Sequence, residues 1–236
     1  MGLFSAVDAL LVQVDSLILY EADGLIVLNK PPGLASTGRS LEDTNCAQYL
    51  LMARARRMVW AIHQLDADTS GLNLFASRRT VVPAYQQRMA TPNGTKMYLA
   101  ICRGLPDFDE RIIDAPMGPT TESGAWRYGV HPKGKPARTR VVVRARGPHH
   151  ALVTAELYTG RTHQIRVHMA HIGHPLVGEV RYQDPPSTEH HRHALHAWRL
   201  RFADGRPPAS FEAPVPDDFA RLAERLGVSL DPGALP

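Results

Sequence analysis

Two pairs of strand-like apolar runs, each joined by a connection too short for a crossover, constrain this chain most. SLILY and LIVLNK flank the turn signal Ala22-Asp23-Gly24, and TRVVVRAR and HALVTAELYTG are joined by Gly147-Pro148-His149. Parallel neighbours need a dozen or more connecting residues, so joints this short make antiparallel pairs. GLNLFAS (71–77) reads as a buried strand and KMYLAICRG (96–104) as an alternating one that ends in glycine. KPPG at 30–33 stops the second run, because adjacent prolines remove donors and restrict the backbone.

Helical periodicity appears between these runs. Residues 43–58 carry apolar side chains at helical spacing, with Arg54, Arg56 and Arg57 toward the end, where cations suit the helix dipole. RRTVVPAYQQRMA (78–90) predicts a helix that Pro83 kinks or delimits. RTHQIRVHMAHIG (161–173) predicts another, capped by Gly173 and placing Thr162 and Arg166 one turn apart on a shared face. PVPDDFARLAERLG (214–227) is short and amphipathic, with prolines and acids at its start. Strands outnumber helices, so the class is α+β, a mixed, largely antiparallel central sheet flanked by helices and loops.

At 236 residues the chain fits one domain, 1–236, without an internal repeat or a long linker. A hydrophobic fraction of 44% against 21% charged residues excludes extended disorder. Cys46 and Cys102 form no C-x-x-C pair, which argues against a disulfide framework or a cysteine-built zinc site and for a reducing compartment. The N-terminal stretch lacks a basic region, and Asp8 and Asp15 interrupt it, so it reads as neither signal peptide nor membrane span. Ala6 stands where a myristoylation signal requires Ser or Thr. A cytoplasmic monomer is the resulting expectation. The net charge of +4 suits a polyanionic partner, and only four of 27 basic residues are lysine. That bias is compatible with RNA binding, but a codon or genome-composition effect is the better explanation of it.

Three constellations are candidates for chemistry. HQLDADTSG (63–71) packs polar groups into a loop that enters a buried strand, the kind of position where catalytic side chains sit; the plainer reading is an Asx or Ser/Thr turn. In the helix at 161–173, Arg166, His163 and Gln164 share a polar side while Ile165 and Met169 share an apolar one, which fits a site wall or a solvated face. Lys96 and Tyr98 point to one side of a strand, where a tyrosine can stack on a base or simply pack.

HQLDADTSG, KMYLAICRG and GRTHQIRVHMAHIGHPLVG together closely resemble the RluA-type family of pseudouridine synthases. KPPGL, GKPART (134–139) and LHAWRLRF (195–202) look like further family segments in the expected order, so the resemblance runs from about residue 20 to residue 220. It implies the pseudouridine synthase fold, with an active-site cleft across the sheet. The implied activity is isomerisation of a specific uridine in tRNA or rRNA, with Asp66, not Asp68, as the catalytic carboxylate. By the same resemblance Tyr98 lies against the target base and takes the proton from C5, and Arg166 pairs with the aspartate.

The reaction breaks the C1′–N1 bond, turns the uracil, joins C1′ to C5 and removes the C5 proton. It involves no net redox change or hydrolysis and requires neither metal nor organic cofactor. Asp66 acts on the sugar, either as a nucleophile at C1′ or as a base at C2′. The uridine must be flipped from its stack, and a basic rim must hold the phosphates. Lys30 and Arg161 are the rim candidates, followed by the Arg54–Arg57 cluster, and Gln64, Lys96 and Thr162 are further candidates for binding the substrate.

One position departs from the family pattern: Gln64 stands where an arginine is usual and brings no charge to the RNA. Nor does the chain have room for the small N-terminal RNA-binding domain of some relatives. Gln64 favours the rival reading, an RNA-binding or RNA-chaperone protein that keeps the fold without turnover. A glycosidase would need a second acid, and Asp68 is the nearest. The histidines at 190, 191, 193 and 196 lack the companions of a recognisable zinc pattern and read as a surface loop, so no metal is expected.

Overall fold

The computed structural model describes residues 13–40, 43–90, 94–120, 127–204, 206 and 208–230. The N-terminal readings on Ala6 and Asp8 lie outside these residues. No described helix is long and apolar enough to cross a membrane.

The antiparallel pairs form as the short joints require. β1 (Ile18–Ala22) and β2 (Leu25–Lys30) pair across Asp23 and Gly24, whose φ angles are 53° and 81°. Two positive φ values in a two-residue loop match the right-handed twist of the flanking strands. After β2 come α1 (Ala47–Ala55), the short β3 (Trp60–Ala61), β4 (Ser70–Ala76), α2 (Val82–Arg88) and β5 (Thr95–Arg103). β6 (Glu110–Asp114) leads to a separate hairpin, β7 (Met117–Thr120) and β8 (Arg127–Val130). β9 (Arg138–Arg146) and β10 (His150–Leu157) then pair antiparallel, followed by α3 (Gln164–His171), β11 (Leu195–Arg201), β12 (Ser210–Glu212) and α4 (Asp217–Arg225).

The main sheet runs β1-β2-β4-β11-β5-β10-β9-β6, with β3 on β4 and β12 on β11. Among the described pairs only β4 with β11 is parallel, so the sheet is mixed and largely antiparallel. Alternation along the strands sends Leu25, Val27, Tyr98 and Ala100 to a core shared with α3, through Ile165 and Met169. Ile26, Leu28 and Phe75 face α1, while Leu99, Ile101 and Trp198 pack on Phe219 and Leu222 of α4. Each such fully buried large side chain contributes roughly 1.5–3 kcal/mol.

Two helices are shorter than their periodicity suggests. Asp43 accepts from the backbone N–H groups of Arg39 and Asn45, which spends it on a turn, so α1 starts after the Cys46 cap and ends at left-handed Arg56. α3 begins only after His163, itself left-handed at φ 57°, so Thr162 lies outside the helix and the expected helical face shared by Thr162 and Arg166 does not exist. Its C-terminus closes as expected: Gly173 N–H donates to Ala170 O and His174 N–H to Met169 O, the two bonds of a Schellman motif. Pro83 sits in the first turn of α2 and delimits that helix without kinking it. β7 and β8, with MGPT and RYGV, carry no apolar alternation that would announce them.

Candidate active site

The loop before β4 is tied down at almost every residue. The Leu65 N–H donates to Ser36 Oγ (2.8 Å), and that hydroxyl donates back to Leu65 O. The Thr69 N–H turns back to Asp66 O (3.0 Å). Thr69 Oγ1 meets His193 Nε2 at 2.9 Å, and Ser70 Oγ meets His196 Nδ1 at 3.0 Å. Arg192 donates to Asp68 O (3.0 Å) while its fork holds Asp218 of α4 at 2.6 and 3.1 Å. Gly71 completes the junction: its φ is 104°, and a Cβ there would stand 2.2 Å from the Ala197 carbonyl oxygen of β11. Only glycine allows the two parallel strands to approach this closely. The loop is a rigid mount, and Asp66 is free to use its carboxylate elsewhere.

That carboxylate points into a cleft of about 400 Å³ lined by Asp66, Gln64, Lys96, Tyr98, Arg161 and Arg166, together with Thr162 and His163. Arg166 Nη1 donates to Asp66 Oδ2 at 3.0 Å. The rest of the guanidinium forks onto Glu179, Nε to Oε2 at 2.7 Å and Nη2 to Oε1 at 2.9 Å. Glu179 is fully buried and also accepts the Arg181 N–H (2.8 Å). Burial works to raise the Glu179 pKa, but the Arg166 hydrogen bonds and charge prevail and hold it below the usual range. Burial likewise opposes the charge on Arg166, and its two carboxylate partners overcome that and raise its pKa. A buried arginine held on both sides keeps its charge and its geometry.

His163 supplies a second neighbour for Asp66. Its left-handed backbone aims the ring so that Nδ1 lies 2.6 Å from Tyr182 Oη and Nε2 lies 3.6 Å from Asp66 Oδ1. Burial lowers its pKa, against the pull of Asp66. Tyr98 stands in the cleft between Ala155 of β10 and Ala197 of β11, its cross-strand partners. Burial, and then the Asp66 charge, push the phenol pKa up, which keeps it protonated at neutral pH. Lys96 lines the same cleft, its pKa lowered by burial.

Of the residues expected at the site, Asp66, Tyr98, Arg166, Gln64, Lys96, Arg161 and Thr162 line one cleft. Gln64 is exposed, its amide donating to Thr37 Oγ1 at 3.1 Å. Lys30 is a correction: it is 0% exposed and cannot reach RNA. Its ammonium donates to the carbonyls of Leu34 (2.7 Å), Ala67 (2.8 Å) and Pro31 (3.0 Å), pinning KPPG to the Asp66 loop. Burial, with the Arg192 charge, lowers its pKa to about 7. Arg54 is a second correction, since it pairs with Asp15 and Glu21, and neither it nor Arg56 and Arg57 lines the cleft. Asp68 is exposed and outside the cleft lining, and among the described residues that line the cleft there is no second acid to face Asp66 as a glycosidase would need. The histidine run is not a surface loop either: His193 and His196 are buried against the Asp66 loop, and of the four only His191 is well exposed. Glu179 and Arg192, which hold Arg166 and the Asp66 loop, were passed over in the sequence, while His163, placed there on a possible site wall, was given no role beside Asp66. The only signal for Glu179 was its place two residues after Leu176-Val177 in HPLVG, beside Gly178.

The chain matches the family model described as RNA pseudouridylate synthase over residues 24–171. Ribosomal large subunit pseudouridine synthase C of Yersinia pestis is 39% identical over 193 residues, covering 78% of this chain and 60% of that protein. The uncharacterized RNA pseudouridine synthase YlyB of Bacillus subtilis (strain 168) is 34% identical over 231 residues, covering 94% of this chain and 76% of that protein. The chain thus spans about 60% of the length of the first of these relatives. Human RNA pseudouridylate synthase domain containing 4 superposes with a TM-score of 0.74 at 22% identity, over 93% of this chain and 96% of that one, a likeness of fold. The α+β sheet is therefore the pseudouridine synthase fold, and the matched segment contains both Asp66 and the Arg166 that holds it. By model match, sequence identity and fold, this chain belongs to the RNA pseudouridylate synthase family.

Proposed function

We propose that the chain isomerises a specific uridine of RNA to pseudouridine, with Asp66 as the carboxylate that acts on the ribose. The observation that carries this reading is the Glu179–Arg166–Asp66 chain at the wall of the cleft. A carboxylate that must act on a sugar has to be fixed in orientation, and a guanidinium itself clamped by a buried acid does that. Tyr98 supports the flipped base from the floor of the cleft. Its raised pKa makes it a hydrogen-bond donor before turnover, so accepting the C5 proton requires that its own proton leave first. Lys96, Arg161, Thr162 and Gln64 form the rim toward the RNA. The names of the Yersinia and other relatives point to large-subunit ribosomal RNA as the substrate.

The test is tritium release from RNA labelled at uridine C5, using cellular RNA with the native chain and with Asp66→Ala. The native chain is expected to release tritium and the variant is not. Release by neither protein would sink the enzyme reading, and equal release by both would refute the role of Asp66. Sequencing pseudouridines in ribosomal RNA and tRNA from cells lacking the gene then identifies the uridine.

A further inference from the structure

Away from the cleft, the start of α4 meets the segment after Ser187 and assembles three donor atoms that the proposed reaction does not use. Asp218 Oδ2 lies 3.5 Å from His190 Nε2 and 3.6 Å from His191 Nε2. All three ligand atoms fall within 4.8 Å of one another. The two nitrogen–oxygen distances are too long for good hydrogen bonds. They match the edge of a metal tetrahedron: bonds of about 2.0–2.2 Å put neighbouring ligands about 3.3–3.6 Å apart.

His190 adds an independent observation. Its side chain is 9% exposed, and Nε2 is buried without a hydrogen-bond partner. A buried polar atom left unpaired in this way is uncommon and costly, and a ligand would satisfy it. His191, at 65% exposure, stands at the solvent side where its ring can swing to admit an ion. A cavity bordered by Thr188, Glu189 and Arg221 opens onto the cluster.

We propose that His190, His191 and Asp218 bind one divalent transition-metal ion, zinc being the best fit, and that the ion fastens α4 to the segment carrying His193. Two imidazoles and one carboxylate oxygen suit zinc and disfavour magnesium or calcium, which take oxygen shells. Water or Glu189 Oε2 takes the fourth position: that oxygen lies 3.0 Å from Arg103 Nε yet is buried without a hydrogen-bond partner, while Oε1 meets His150 at 2.9 Å. Arg192 forks onto Asp218 at 2.6 and 3.1 Å, the outer-shell contact that orients a ligating carboxylate. Its charge opposes any cation here, which further selects an ion held by directional bonds to nitrogen over one held by charge alone. Arg192 also donates to Asp68 O, so the ion would brace the anchor of the Asp66 loop.

The full chain, without an affinity tag, is dialysed against zinc and its metal content measured, with cobalt(II) as a spectroscopic probe. One zinc per chain is expected, with cobalt bands of tetrahedral intensity and a zinc-dependent rise in melting temperature. His191→Ala is exposed enough to fold normally and is expected to weaken binding at least about tenfold and to abolish the thermal shift. His190→Ala, with folding confirmed by circular dichroism, is expected to do the same. Absence of binding at micromolar zinc would overturn the proposal, as would binding unchanged in both variants, which would place the ion on other histidines. Because none of these readouts is catalytic, they stand apart from the outcome of the tritium assay.

Discussion

Replacing Glu179 by glutamine tests whether the buried fork governs both the fold and the active carboxylate. In the native protein Glu179 accepts two charge-assisted bonds from Arg166, at 2.7 and 2.9 Å, and the Arg181 N–H at 2.8 Å. Glutamine keeps one acceptor oxygen and sets an NH₂ group against an N–H of Arg166, so one bond becomes a donor–donor clash. Losing one hydrogen bond to a charged group costs about 1.5–3 kcal/mol. Breaking a buried pair outright costs roughly 3–5 kcal/mol, and Asp66 still compensates part of the Arg166 charge here. The expected loss is therefore about 2–4 kcal/mol. For a chain of this size that lowers Tm by roughly 2–4 °C per kcal/mol, or about 4–16 °C. Tilting Arg166 also displaces its Nη1 from Asp66, and a misplacement of about 1 Å costs about 100-fold in rate. Urea or thermal denaturation gives the first quantity and single-turnover tritium release the second. Native stability in Glu179→Gln would refute the buried ion pair. A destabilised variant with native kcat would show instead that the fork does not position Asp66.

Three further outcomes follow from the same geometry. Lys30→Met leaves the carbonyls of Pro31, Leu34 and Ala67 without their donor, so stability and turnover should fall while the RNA affinity of the folded fraction, measured by filter binding, stays native. A selective loss of RNA affinity would return Lys30 to the rim. Gly71→Ala drives a Cβ into the Ala197 carbonyl at 2.2 Å and should yield insoluble chain on expression; a soluble protein with native Tm would contradict the close strand approach. Burial lowers the pKa of His63 and His196 to about 4 and of His193 to about 3. Above about pH 6.5 these rings are neutral in both states, and as the pH falls toward 4 the unfolded chain binds protons that the folded chain resists. Tm should therefore drop across that window, and His193→Asn should flatten the slope; equal slopes in both proteins would remove His193 from the account.

What the sequence disclosed was the local order and the motif, and what it concealed was partnership. The β1–β2 and β9–β10 pairs follow from short joints, and α4 from its acids, its apolar spacing and the closing Gly227. Asp66, Tyr98 and Arg166 stood out through family motifs, since composition alone left Asp66 as a turn residue. Lys30 was misjudged because a lysine at the end of a strand looks exposed unless the loops that bury it are known. Glu179 has no motif of its own; its meaning is the guanidinium it meets, which a tight turn after α3 brings within reach. His193 and His196 looked like surface residues because the hydroxyls they meet, on Thr69 and Ser70, lie more than a hundred positions earlier.

The position of β11 also sets an order in time. β4 and β5 follow one another along the chain, yet in the sheet they are held apart by β11, which is synthesised about a hundred residues later. Until Leu195–Arg201 emerges from the ribosome, β5 lacks its partner on that side, and β4, covered by β3 at Phe75 and Ala76, is open at Ser70 and Gly71. Unpaired apolar edges of this kind recruit other chains. Closing them late, over a long sequence separation, is slow. A nascent chain stalled before residue 195 therefore presents an aggregation-prone edge, and it does so before His196 and Ala197 have reached Ser70 and Gly71 at the root of the Asp66 loop.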